Sequence, residues 1–165
     1  MLLGRKKALV RTAAWNAQVR LGLYPPFYMT VAPAQDWHPD TMVGGSITFS
    51  NEVAEALGQL VVDVGPHHEL TPLASRALAV ASRLGALHPN WVEYCDRDAR
   101  PGESQESRAM SREWPLPEKV RSWPHFEQAA KDVRTLVDLV TELHPMLVAS
   151  CGRDITQPVN LPLAA

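Results

Sequence analysis

Cysteine is scarce in this 165-residue chain: there are two, too few for a disulfide framework, which sets a reducing, cytoplasmic compartment as the expectation. No run approaches the roughly 18 apolar residues of a membrane span. The opening Met1-Leu2-Leu3-Gly4 passes at once to Arg5-Lys6-Lys7 without a long apolar stretch, so no secretory signal is read there. P-loop, Rossmann glycine and G-x-S-x-G patterns are missing, and no serine stands in a recognisable nucleophile context. A strong charge of either sign is also lacking. A net charge of −2 excludes a binder that would coat nucleic acid with its whole surface. What remains, 45% hydrophobic residues and a mean hydropathy of −0.16, is the composition of one globular domain spanning residues 1–165.

The most informative feature is an echo. Leu87-His88-Pro89 and Leu143-His144-Pro145 each open the pattern L-H-P-x-x-V-x-x-C-x-R-D, with seven identities in twelve positions and a separation of 56 residues. At the same offset, Leu70, Leu73, Ala74, Ala77, Val80, Ala81, Leu84 and Leu87 fall on Phe126, Ala129, Ala130, Val133, Leu136, Val137, Val140 and Leu143. Both sets follow the i, i+3, i+4, i+7 spacing of an amphipathic helix. The repeating unit reads as a helix, then L-H-P, then a short segment with Val and Cys, then Arg-Asp. This suggests an internal duplication of a helical hairpin about a pseudo-two-fold axis.

The rest of the chain is expected to be mainly α, a bundle of about four helices. Residues 5–21 read as a helix burying Leu9, Val10, Ala13, Ala14, Ala17 and Leu21, ended by Gly22 and Pro25-Pro26. Tyr28-Met29-Thr30-Val31 and Ser46-Ile47-Thr48-Phe49 look like short strands of a small β-hairpin near the N-terminal third, with Gly44-Gly45 as a flexible turn. Ser50 or Asn51 caps a helix to about Val62. Thr71-Pro72 starts another, to about Leu87. Residues 96–114, dense in charge and serine, read as an exposed linker. Residues 117–123 suggest a short helix, and the longest helix runs from Ser122–Pro124 to Leu143. The tail 155–165, with Pro158 and Pro162, reads as extended.

Both cysteines lie in the echoed motif with two of the six histidines, so His88, Cys95, His144 and Cys151 are the candidate metal ligands, for zinc. In a helix, the His-x6-Cys spacing puts the two about 10.5 Å apart along the axis. One motif cannot then grip one ion; all four residues would have to converge. The competing expectation is buried packing thiols and histidines at helix ends. His67-His68-Glu69 with His38 and Asp40 is a weaker metal candidate. Arg97-Asp98 and Arg153-Asp154 read as ion-pair or capping residues at each motif's exit.

Every formal charge before Asp36 is positive. Lys7 and Arg11 share a helix face with Trp15 and Gln18, whereas Arg5, Lys6 and Arg20 diverge. Lys7 and Arg11 are therefore candidate binding residues for an anion such as nucleic acid. Trp37, Trp114 and Trp123 fall in or near loops, where an aromatic can anchor a partner protein. The leading functional expectation is a binding or assembly protein acting through protein–protein contacts or self-association. A metal- or thiol-dependent enzyme using the His/Cys motifs is the alternative. A nucleic-acid accessory protein reading through the basic first helix is the third.

Overall fold

The computed structural model describes residues 2–28 and 39–155, with side chains from residues 4–28 and 42–155. Within them the chain is helical, without a strand: α1 (Leu2–Leu21), α2 (Pro39–Thr48), α3 (Ser50–Val64), α4 (Thr71–Ala86), α5 (His88–Asp96), α6 (Gln105–Glu113), α7 (Pro117–Arg121) and α8 (Phe126–Cys151). The mainly-α expectation holds. None of these helices is long and apolar enough to cross a membrane.

The expected hairpin is overturned. Ser46-Ile47-Thr48 end α2, and Phe49 links α2 to α3. Residues 29–31 and Trp37 lie outside the described residues. The reason is burial on all sides. Met42, Val43, Ser46 and Ile47 are buried, and α2 packs against α3, α4, α5, α6, α7 and α8. A segment enclosed by six neighbouring helices is held by its tertiary context, which overrides the β preference of Ile and Thr. Gly44-Gly45 is not a turn but a double notch in this helix. A Cβ on Gly44 would lie 2.6 Å from Pro115 Cδ and 2.7 Å from the Arg112 carbonyl oxygen, and one on Gly45 would lie 2.8 Å from Pro25 Cγ. Close approach of neighbouring chain, not backbone freedom, is what these glycines provide.

Around α2, α1 packs on α3 and α8, α3 on α4, and α4 on α8. The two phased stripes do face the core. Leu70, Ala74, Ala77, Val80, Ala81 and Leu84 are buried in one, and Ala129, Val133, Leu136, Val140 and Leu143 in the other. Leu9 departs from the expected buried side of α1 and is 63% exposed. Two expected caps act in reverse. The Ser50 and Thr71 hydroxyls donate backward, to the carbonyls of Ile47 (2.7 Å) and Gly65 (2.6 Å), instead of accepting an N–H of their helices. Each ties a helix start to the preceding turn.

The echoed motifs are helical in both places but bend differently. After α4 the ladder breaks for one residue at Leu87 (φ −86°, ψ −11°), and α5 resets with Pro89 in its first turn. A proline there displaces no needed N–H. The second motif does not stop its helix at Leu143, as expected from Pro145. α8 runs straight through Pro145 to Cys151, where Gly152 (φ 82°) closes it. Pro145 leaves the Thr141 carbonyl without its helical donor, and Thr141 is exposed, so water can serve that oxygen.

Candidate binding surfaces

α6 is the one helix among α3–α8 with no buried residue. Ser104 starts it by accepting the Ser107 N–H at 3.1 Å. It falls within the stretch 96–114 read from sequence as a linker. What fastens it is polar. The Arg112 guanidinium donates to both Asp96 carboxylate oxygens (Nε 3.1 Å, Nη2 2.7 Å). The Arg112 carbonyl accepts from Trp91 Nε1 at 3.1 Å and from the Thr48 hydroxyl at 3.3 Å. Held by that bidentate fork and carbonyl, α6 turns Met110 (61% exposed) to solvent, and the connection after it exposes Trp114 (42%) and Leu116 (75%). Met110 and Trp114 are one turn apart, and the Trp114 N–H bonds the Met110 carbonyl. The Glu113 carboxyl beside them is pushed above the ordinary carboxylate range by burial.

The tryptophans sort differently from expectation. Trp114 is on this surface. Trp123 is 2% exposed, donates Nε1–H to Asn90 Oδ1 (2.8 Å) and stands edge-on to Trp91 at 4.9 Å. It is a core residue, unavailable to a partner, because the α7–α8 connection folds it inward against α5. Trp37 lies outside the described residues.

The proposed metal ligands are not gathered. Among the described residues no three His, Cys, Asp or Glu stand together as an ion's ligands, so His88, Cys95, His144 and Cys151 do not converge. His144 Nε2 lies 3.3 Å from Asp154 Oδ1, and its ring is edge-on to Phe27. His38 and Asp40 of the second candidate set fall outside the described side chains. Both cysteines are buried free thiols. Cys95 lines a polar cavity of about 50 Å³, room for water but not for a substrate. Burial pushes its thiol up to about 11, against only a partial pull from Lys119. A thiol so poised is protonated at neutral pH and is a poor nucleophile.

Lys7 and Arg11 are brought to one concavity. With Lys6, Val10, His68 and Ser150 they line a pocket of about 320 Å³ between the start of α1, the α3–α4 connection and the end of α8. Trp15 lies farther along the same face, with the Arg153 guanidinium 5.9 Å from its ring centre. Gln18, placed by sequence on that face, is buried. It holds the exit of α8, donating to the Arg153 carbonyl (3.1 Å) and accepting the Ile155 N–H (3.2 Å). Sequence reasoning missed Met110 and Leu116, although the Met110/Trp114 i, i+4 spacing could have shown the former. It named His68 only as part of a weaker metal candidate and missed Ser150; the proximity of both to α1 is encoded by no local pattern.

A further concavity, of about 1,010 Å³, runs along the first half of α8 beside Met42 and Pro124. Glu127, Lys131, Arg134 and Asp138 mix both charge signs along it, so it selects no ligand of one charge. Comparison with protein families, curated proteins and solved structures finds no match to this chain.

Proposed function

We propose that this chain is a non-catalytic binding or assembly protein whose partner is another protein, docked at the end of α6 and the connection after it, on Met110, Trp114 and Leu116. The observation that carries this reading is a combination: α6 has no buried side chain, Met110 on it and Trp114 and Leu116 just after it are large, apolar and exposed, and Arg112 fastens the helix end through polar bonds. A flexible linker would lose conformational entropy on binding. A helix already fastened by Arg112 has lost most of it, which favours docking. An exposed Trp beside Met is the composition of an interface centre. Among the described residues no three His, Cys, Asp or Glu gather as metal ligands, and burial holds the Cys95 thiol protonated, so neither supports the metal- or thiol-dependent enzyme reading. We read the two echoed motifs as one ancestral helical unit that diverged at its prolines, and superposition of residues 70–98 on 126–154 is the check.

The test places a photo-crosslinking amino acid at position 114 of the full chain in its native cells, with exposed Glu52 as control site. Protein adducts, to a second copy or to another chain, are expected at 114 and not at 52. Equal labelling, or no protein adduct at 114, overturns the reading.

A further inference from the structure

The pocket at the start of α1 concentrates positive charge without its usual neutralisation. Lys6, Lys7 and Arg11 line it, and among the described residues none of the three has an ion-pair or hydrogen-bond partner. α1 itself carries no acidic residue. The other basic residues of α1 are not part of the cluster: Arg5 is not in the lining, and Arg20 pairs with Glu55 at 3.5 Å.

His68 adds a donor whose tautomer the backbone sets. Its Nδ1 accepts the Leu70 N–H at 3.0 Å, so that nitrogen carries no proton and Nε2 carries the ring N–H. The imidazole can thus donate to a pocket anion without being charged. Ser150, from the end of α8, supplies a hydroxyl that can also donate, and Val10 supplies an apolar wall. Three cations, an imidazole N–H and a hydroxyl exceed what a carboxylate's two oxygens and single charge can satisfy. A phosphate dianion, with three terminal oxygens, matches both the charge and the donor number.

We infer that this pocket binds a small organic phosphate, its phosphate held by Lys7, Arg11 and His68 and its organic part against Val10. A volume of about 320 Å³ is that of a small-molecule site. The three cations lie within about two turns of α1, on one wall of a concavity closed by His68 and Ser150, which favours a small phosphate monoester over the extended track of a nucleic-acid backbone. The site lies away from α6 and does not depend on the docking reading.

The experiment is an NMR titration of the full chain with phenyl phosphate at physiological salt. Competition by inorganic phosphate, by acetate and by a single-stranded oligonucleotide follows. Saturable shifts at Val10, Arg11, His68 and Ser150 are expected, reversed by inorganic phosphate and not by acetate. Arg11→Ala should weaken binding about tenfold or more, and Lys7→Ala should do so independently. Both residues are exposed, so folding of each variant can be verified by its unchanged helical circular dichroism. Absence of saturation, displacement by acetate as readily as by phosphate, or unchanged affinity in both variants overturns the inference. So does an oligonucleotide that binds these residues and resists displacement by phosphate.

Discussion

Pro89 and Pro145 follow the same Leu-His, and the chain treats them in opposite ways. At Pro89 the helix breaks and resets; at Pro145 it continues. The proline is common to both, so the difference comes from its surroundings. Four residues before Pro89 stands Gly85, packed so tightly that a Cβ there would lie 2.6 Å from Asn51 Oδ1. Four residues before Pro145 stands exposed Thr141. The break also swings Trp91 into the core, where its Nε1 reaches the Arg112 carbonyl, whereas the matching Leu147 needs only apolar contact. The exits diverge too. Asp154 turns back to His144 of its own motif, while Asp98 pairs with Lys119 at 3.5 Å. A proline in a helix is thus a local cost that the tertiary structure either exploits as a bend or absorbs at a wet surface.

The strongest way to break this comparison is at the two matched core positions. Trp91→Ala should destabilise by about 3–5 kcal/mol, because it removes a fully buried aromatic and strips a donor from the Arg112 carbonyl. Leu147→Ala should cost about 2–4 kcal/mol. Urea unfolding of both variants decides it; a larger loss at Leu147 would show that the bend at Leu87 is not organised around Trp91.

Next comes the tie between the two segments. Arg83 on α4 donates to Asp132 on α8 at 3.1 Å, and Asp132 is buried while Arg83 is half-exposed. Arg83→Ala strands the carboxylate and should cost about 1–2 kcal/mol, with water entering the vacated space moderating the loss. A double-mutant cycle with Asp132→Asn should return a coupling; zero coupling would mean that packing alone joins α4 to α8.

The prolines give a sharper contrast of opposite sign. Pro145→Ala restores an N–H to the Thr141 carbonyl and should stabilise by about 1–2 kcal/mol, part of the intrinsic helix-interior penalty of proline. Pro89→Ala, in a first turn, should change stability by no more than about 0.5 kcal/mol. Equal effects would remove the distinction between a bent and a continuous proline site.

The effect that is smallest at neutral pH is that of the Cys95 thiol, which shows only in alkali. The Cys95 thiol is raised by burial from its usual value of 9.0 to about 11. Its protonated form is favoured by folding, so its contribution is complete below pH 9 and is lost as pH rises through about 11. Tyr94, also raised, first by burial, bends the curve in the same direction. Unfolding measured from pH 8 to 11 should therefore decline less steeply in Cys95→Ala than in the native chain. Identical slopes would mean that the thiol is freely hydrated.

Legibility followed the range of the interaction. The α4 and α8 stripes were readable because i, i+3, i+4 periodicity is written in neighbouring residues, and both do face the core. The starts of α4 and α7 were readable from Thr71-Pro72 and Pro117. α2 was not. Its ten residues are too few, and too mixed with Asp40, Thr41, Ser46 and Thr48, for a period to separate helix from strand, and its Gly-Gly pair looks like a turn until Pro115 and Pro25 are seen against it. Of the candidate site residues, Lys7, Arg11 and Trp114, named from charge and position, are exposed on the candidate surfaces, while Trp123 is buried because its loop folds inward.

By itself the sequence determined the helical class, the buried faces of α4 and α8 and the basic character of α1, since these depend on side-chain period and charge along contiguous chain. Only the tertiary structure decided that α2 is a buried central helix, that α6 is fastened with Met110 outward, and that His68 and Ser150 meet Lys7 and Arg11. The physical reason is separation along the chain. Packing between residues well separated in the chain is selected by the complementarity of whole surfaces, such as glycine notches, a carbonyl awaiting donors and a cationic wall, and no helical period contains both halves.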